Sequence, residues 1–122
     1  MAKYDWGTFG FHIPEIMLPK EGTDYSKWAV VACDQYTSEP EYWKQVEEIV
    51  GDAPSTLRLM LPEIFLGKEA EAEKSADIRK TMDQYLADGT LRKLEPGCML
   101  IKRTAEGRTR TGLVIATDLE AY

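Results

Sequence analysis

Six consecutive residues, Trp28-Ala29-Val30-Val31-Ala32-Cys33, carry no charge and no strongly polar group, and a helix signature follows within a few positions. An apolar run of this length has no face to offer water. It therefore predicts a strand covered on both sides, near the middle of a sheet. The polar loop Cys33-Asp34-Gln35-Tyr36-Thr37-Ser38 comes next. Ser38 and Glu41 then match the S-x-x-E capping box, with Pro40 in the first turn, where its missing N–H costs little. Trp43, Val46, Ile49 and Val50 recur at helical spacing, and Gly51 suits the residue that ends a helix. Leu57–Leu61, held between Pro54 and Pro62, reads as a second strand with Leu57, Leu59 and Leu61 on one face. Strand, helix and strand joined by short loops imply a right-handed parallel crossover.

Around that unit the signals are simpler. Residues 1–27 read as irregular, punctuated by Pro14, Pro19 and Gly22, although Phe9, Phe11 and Ile13 alternate in the manner of a short extended segment. Ile78, Met82, Tyr85 and Leu86 mark the apolar stripe of a second helix, about residues 68–88, closed by Gly89. Met99–Arg103 and Thr109–Thr117 form an antiparallel hairpin around Ala105-Glu106-Gly107. The fold class expected is α/β, bordering on α+β: a mixed sheet with the strand–helix–strand unit, a second helix and a C-terminal hairpin. A chain of 122 residues fits one domain. Because it stops just after an apolar strand, it reads as the N-terminal domain of a longer protein, cut after Tyr122.

The formal charge of −6 argues against nucleic acid as a partner, since binding to a phosphate backbone rests on clustered Lys and Arg. No apolar run approaches the roughly 20 residues of a membrane span, and the first residues have no signal-peptide core. A cytoplasmic protein without a membrane partner is expected, with Cys33 and Cys98 as free thiols. One histidine and two distant cysteines do not compose a zinc site. Glu69, Glu71 and Glu73 have a metal reading, but their spacing spreads them around a helix as a solvated face. Arg103, Arg108 and Arg110 gather near the hairpin tip, either as a phosphate-binding patch or as charge for solubility. His12 reads as a general base or as a surface imidazole.

The densest set of functional groups lies in the loop. Asp34 suits a base toward a hydroxyl, or a Mg²⁺ ligand with Glu39 or Glu41. Thr37, Ser38 and the N–H groups of the helix start suit a phosphate or carboxylate, and Tyr36 suits a hydrogen bond or a stacked ring. The structural alternative is that Ser38 caps, Asp34 closes an Asx-turn and Tyr36 packs. No P-loop and no G-x-G-x-x-G is present.

The run KWAVVACDQYTSEPEYWKQVEEIVGDAPSTLRLMLPE, with IPEIMLPKEG before it and RTGLVIATDLEAY at the end, resembles the N-terminal part of a bacterial and archaeal family, domain of unknown function 1015. That family is similar to free-serine kinases, and a ParB/sulfiredoxin-like fold is suspected for its N-terminal region. The resemblance implies a phosphotransferase acting on a small molecule such as L-serine, with Mg²⁺ and ATP or ADP in the full-length protein and no cofactor or turnover in this part alone. The resemblance places Asp34 at the family's position after the first buried strand, as the expected catalytic group; read with the loop's own chemistry, Gln35, Tyr36, Thr37 and Ser38 are the expected substrate- or phosphate-binding residues, and no metal ligand is expected. The family commonly shows Tyr-Asp after its first buried strand, whereas Cys33 precedes Asp34 here. An Ala-Thr-Glu-Gly-Thr-like family motif is expected beyond Tyr122. The rival expectation is a non-catalytic ligand-binding module, and a third is a protein-interaction surface around Trp6, Phe9 and Phe11.

Overall fold

The computed structural model describes residues 10–121 and is a mixed α/β fold with small antiparallel sheets and a C-terminal hairpin. The helices are α1 (Tyr25–Trp28), α2 (Pro40–Val50) and α3 (Glu71–Ala87). The strands are β1 (Phe11–His12), β2 (Met17–Pro19), β3 (Leu91–Lys93), β4 (Met99–Ala105), β5 (Arg108–Val114) and β6 (Ala116–Thr117). They pair two by two as β1–β6, β2–β3 and β4–β5. The described chain divides into two compact units, one of residues 19–92 and one in which residues up to 18 join those from 93 onward.

The second helix and the hairpin stand as expected, but the strand–helix–strand crossover is replaced. Trp28 closes α1, whose first turn is capped by Asp24: its Oδ1 accepts from the Ser26 N–H at 3.0 Å and from the Ser26 hydroxyl at 2.6 Å. Ala29–Ala32 then runs without regular structure, with Val30 and Val31 half-buried against α2. The expected partner strand is also missing. Ser55 caps a 3₁₀ turn over Thr56–Leu59, its Oγ accepting from the Leu57 N–H at 3.2 Å. A strand needs a neighbour's ladder of backbone groups, and this segment spends its own on a turn. A backbone bond from the Glu63 N–H to the Cys33 carbonyl, 2.9 Å, joins the two stretches. A continuous apolar run of six residues does not by itself separate a central strand from an extended segment packed on a helix.

The start of α2 differs in register from the capping box. Glu39, not Ser38, is the N-cap, and it makes no side-chain capping bond. Pro40 is the cause. The residue before proline is pushed out of the α region, so Glu39 sits at φ −119°, ψ 76°, and the helix starts at the proline itself. Gly51 ends α2 with φ 55°, as its position suggested.

Two apolar clusters hold the 19–92 unit. Trp43, Val50, Leu57 and Ile64 form the first, with Val46, Met60 and Phe65 beside them. Trp28, Tyr85 and Leu91 form the second, with Leu59 and Met82. Ser55, in sequence between Val50 and Leu57 of the first cluster, is fully buried and bonds to residues of the second. Its N–H donates to the Tyr85 hydroxyl at 3.2 Å and its Oγ donates to the Trp28 carbonyl at 3.3 Å. The Thr56 hydroxyl donates to the same carbonyl at 2.7 Å. One buried serine thus ties α1, the 3₁₀ turn and α3 together, satisfying backbone groups that burial would otherwise leave unpaired.

In the other unit, β1 meets β6 with Phe11 opposite Thr117 and His12 opposite Ala116. The hairpin turns at Glu106 (φ 52°) and Gly107 (φ 72°). Two successive left-handed residues define the tight turn whose twist matches that of the flanking strands. The expected return strand, Thr109–Thr117, breaks at Ile115 into β5 and β6.

Candidate functional site

A groove of about 570 Å³ opens in the 19–92 unit, between α2, the Thr56–Leu59 turn, the short Glu63–Phe65 turn and α3. Its apolar lining comes from Trp43, Leu57, Met60, Ile64 and Phe65, which belong to the first core cluster or pack on it. Its polar lining is dominated by cations: Lys44 from α2, Lys68 from the loop before α3, Lys74 and Lys80 from α3, and Arg58. Arg58 is already committed. Its guanidinium donates to Glu47 at 2.8 Å and to the Gly51 carbonyl at 2.7 Å, fastening the end of α2 to the 3₁₀ turn. The four lysines form no ion pair among the described residues, leaving the Asp77 carboxylate as their one counter-charge in the lining outside the Arg58–Glu47 pair. Lys74 lies 4.3 Å above the Phe65 ring centroid, where the ring face attracts its ammonium and holds the side chain over the apolar floor. A concave apolar floor edged by ammonium groups is chemically suited to an anion that carries an apolar portion.

The loop residues singled out in the sequence sit beside this groove without lining it. Asp34, Gln35, Tyr36, Thr37 and Ser38 are all exposed. The Asp34 carboxylate accepts from the Gln35 amide at 3.3 Å. Among the described residues the hydroxyls of Thr37 and Ser38 have no hydrogen-bond partner. Tyr36 packs: its ring stacks on Tyr42 with centroids 3.8 Å apart, and Tyr42 meets Trp43 edge-on. The Trp43 indole N–H donates to the Tyr36 carbonyl at 3.1 Å, which holds that residue at φ 52°. A tyrosine in the left-handed region costs on the order of 1 kcal/mol and persists where its surroundings over-determine it. Both ends of the loop reach the groove's walls. The Cys33 carbonyl is bonded to Glu63, at the start of the turn bearing Ile64 and Phe65, and Pro40 is part of the lining.

The lysine rim was not singled out in the sequence. Its signal was present on α3, where Lys74, Asp77, Ile78, Thr81 and Gln84 recur at helical spacing and line the groove. That stripe lies next to the apolar one, and its mixed polarity resembles any solvated helix face. No three His, Cys, Asp or Glu side chains converge to hold a metal among the described residues. His12 is exposed in β1, and Trp6 and Phe9 of the expected interaction surface lie outside the described residues. No described helix is long and apolar enough to cross a membrane.

The fold and groove thus define a small α/β protein with a cationic cleft on an aromatic floor. The family model described as "Protein of unknown function (DUF1015)" matches residues 17–122, and the chain belongs to that family. No curated protein and no solved structure matches it.

Proposed function

We propose that this chain is the nucleotide-binding part of a cytosolic small-molecule phosphotransferase of the free-serine-kinase kind, the N-terminal portion of a longer protein. The groove carries the proposal: four lysines with no ion pair among the described residues edge an apolar floor that includes two aromatic rings. A nucleotide matches both halves, since its base or ribose suits the floor and its phosphates suit the ammonium groups. The adjoining loop supplies the acceptor side. Asp34, exposed and anionic, takes the proton of the L-serine hydroxyl as its oxygen attacks the terminal phosphorus, while the phosphoanhydride oxygen leaves with the shortened nucleotide. Gln35, Thr37 and Ser38 orient the amino acid, and Tyr36 fixes the loop. A ParB/sulfiredoxin-like fold is part of the same proposal. Mg²⁺ would neutralise phosphate charge as the nucleotide's companion.

Calorimetric titration of ATP and of ADP into the chain tests the groove. Saturable binding is expected, weakened at least tenfold in Lys44→Gln/Lys80→Gln; an absence of binding refutes it. O-phosphoserine formation by the longer protein tests the reaction, and its absence refutes the kinase assignment. Undiminished product from Asp34→Asn removes that residue's role. Nucleotide binding without product favours the rival, a non-catalytic binding module, which the exposed position of Asp34–Ser38 also suits.

A further inference from the structure

The β4–β5 hairpin takes no part in the groove, and its register concentrates charge in one place. Arg103 stands directly opposite Arg110, and Arg108 opposite Ala105. Opposed residues share a face, as do alternate residues of one strand, so three guanidinium groups project from the same side of the ribbon. The two-residue turn makes Ala105–Arg108 a hydrogen-bonded pair, and alternation makes Arg103–Arg110 another, with Cα atoms about 5.5 Å apart. The other face at this level is neutral: Thr104 and Thr109 join hydroxyl to hydroxyl at 2.9 Å. All three arginines are exposed, and none forms an ion pair among the described residues. Lys102, Arg103, Arg108 and Arg110 against Glu106 give residues 99–114 a formal charge of +3, in a chain totalling −6. Like charges placed directly opposite one another destabilise a hairpin. A bound anion reverses that sign.

We propose that this face is a second anion site, for the phosphate group of a small molecule held between Arg103 and Arg110, with Arg108 as the third cation. Guanidinium forks match phosphate oxygens in pairs, and a dianion answers two adjacent cations where a carboxylate answers one. Lys102 and these three arginines are gathered in one short hairpin of a chain whose total charge is negative. A nucleic-acid backbone, by contrast, asks for positive charge along a track.

The test is a two-dimensional NMR titration of the isotopically labelled chain with sodium pyrophosphate and with inorganic phosphate, against sodium chloride at matched ionic strength and a single-stranded oligonucleotide. Saturable shifts are expected for residues 101–111 with pyrophosphate beyond those with chloride, and at least tenfold weaker in Arg103→Gln and in Arg110→Gln. Signals of Lys44 and Lys80 report the groove separately, so failure of either site is distinguishable from failure of the other. The proposal is overturned by the absence of saturable hairpin shifts, by an equal response to chloride, by an undiminished response in both variants, or by a response to the oligonucleotide alone.

Discussion

Replacing Tyr85 by Phe removes one oxygen and leaves the ring. The ring is 7% exposed, lies 6.0 Å from Trp28 between centroids, and packs with Leu91 in the second cluster, so apolar burial is retained. What is lost is the acceptor for the Ser55 N–H, at a residue with 0% exposure. Water does not reach that position to substitute, so the desolvation of the orphaned donor is felt, at about 1–3 kcal/mol. For a protein with a total stability of about 5–15 kcal/mol this is a large fraction. Urea unfolding followed by tryptophan fluorescence should show a lower midpoint with an unchanged slope, since the surface exposed on unfolding is the same. Because Ser55 begins the turn bearing Leu57 and Arg58, and Tyr85 is on α3, the same variant should loosen the groove and weaken nucleotide binding. A loss below about 0.5 kcal/mol, the range of an ordinary surface change, would refute the assignment of Ser55 as the tie between these elements.

Three further perturbations separate other contributions. Arg58→Ala breaks the bond to Glu47 and the one to the Gly51 carbonyl; with side chains 36% and 46% exposed, the loss is about 0.5–1 kcal/mol and should shrink in high salt, as measured by denaturation at two ionic strengths. Asp24 and Asp88 are held below the ordinary value of 3.8, the first chiefly by the Ser26 hydroxyl and the second chiefly by Thr90. A depressed carboxylate contributes stability that is fully present above its unfolded value and is lost as pH falls through the lower folded value. Thermal melts from pH 5 downward should therefore fall less steeply in Asp24→Asn and Asp88→Asn than in the parent. Gly107→Ala places a Cβ at φ 72° in the hairpin turn with nothing within 4 Å to clash, so its cost is conformational, about 1 kcal/mol, and should appear as faster hydrogen exchange within β4 and β5 while α2 and α3 keep their protection.

Local chemistry was legible wherever it acts within a few residues. The apolar stripe ending at Gly89, the Gly51 helix end and the hairpin around Glu106-Gly107 each follow from short-range sterics and periodicity, and each is present. The packing role of Tyr36 was one of the open alternatives, and its stack on Tyr42 supports it. The position of α2's first residue turned on a competition between two local signals. Ser38-x-x-Glu41 favoured an earlier start, and the restriction Pro40 places on Glu39 prevailed.

What tertiary structure alone decided was the fate of the apolar runs and the place of the cations. The sequence by itself determined that Trp28–Cys33 and Leu57–Leu61 contribute apolar surface to a core, and most of these side chains do pack there. Whether such a run becomes a strand depends on a partner's free backbone groups. Here the caps at Asp24 and Ser55 turn those groups back on their own segments. Lys44, Lys68, Lys74 and Lys80 are separated by up to 36 positions and become one rim only when α2 and α3 flank the same turns. Composition summed them into a net charge of −6. Electrostatic recognition responds to the local field, so the arginines of the hairpin tip, close in sequence, could be read from it, whereas the lysine rim came into view only with the fold.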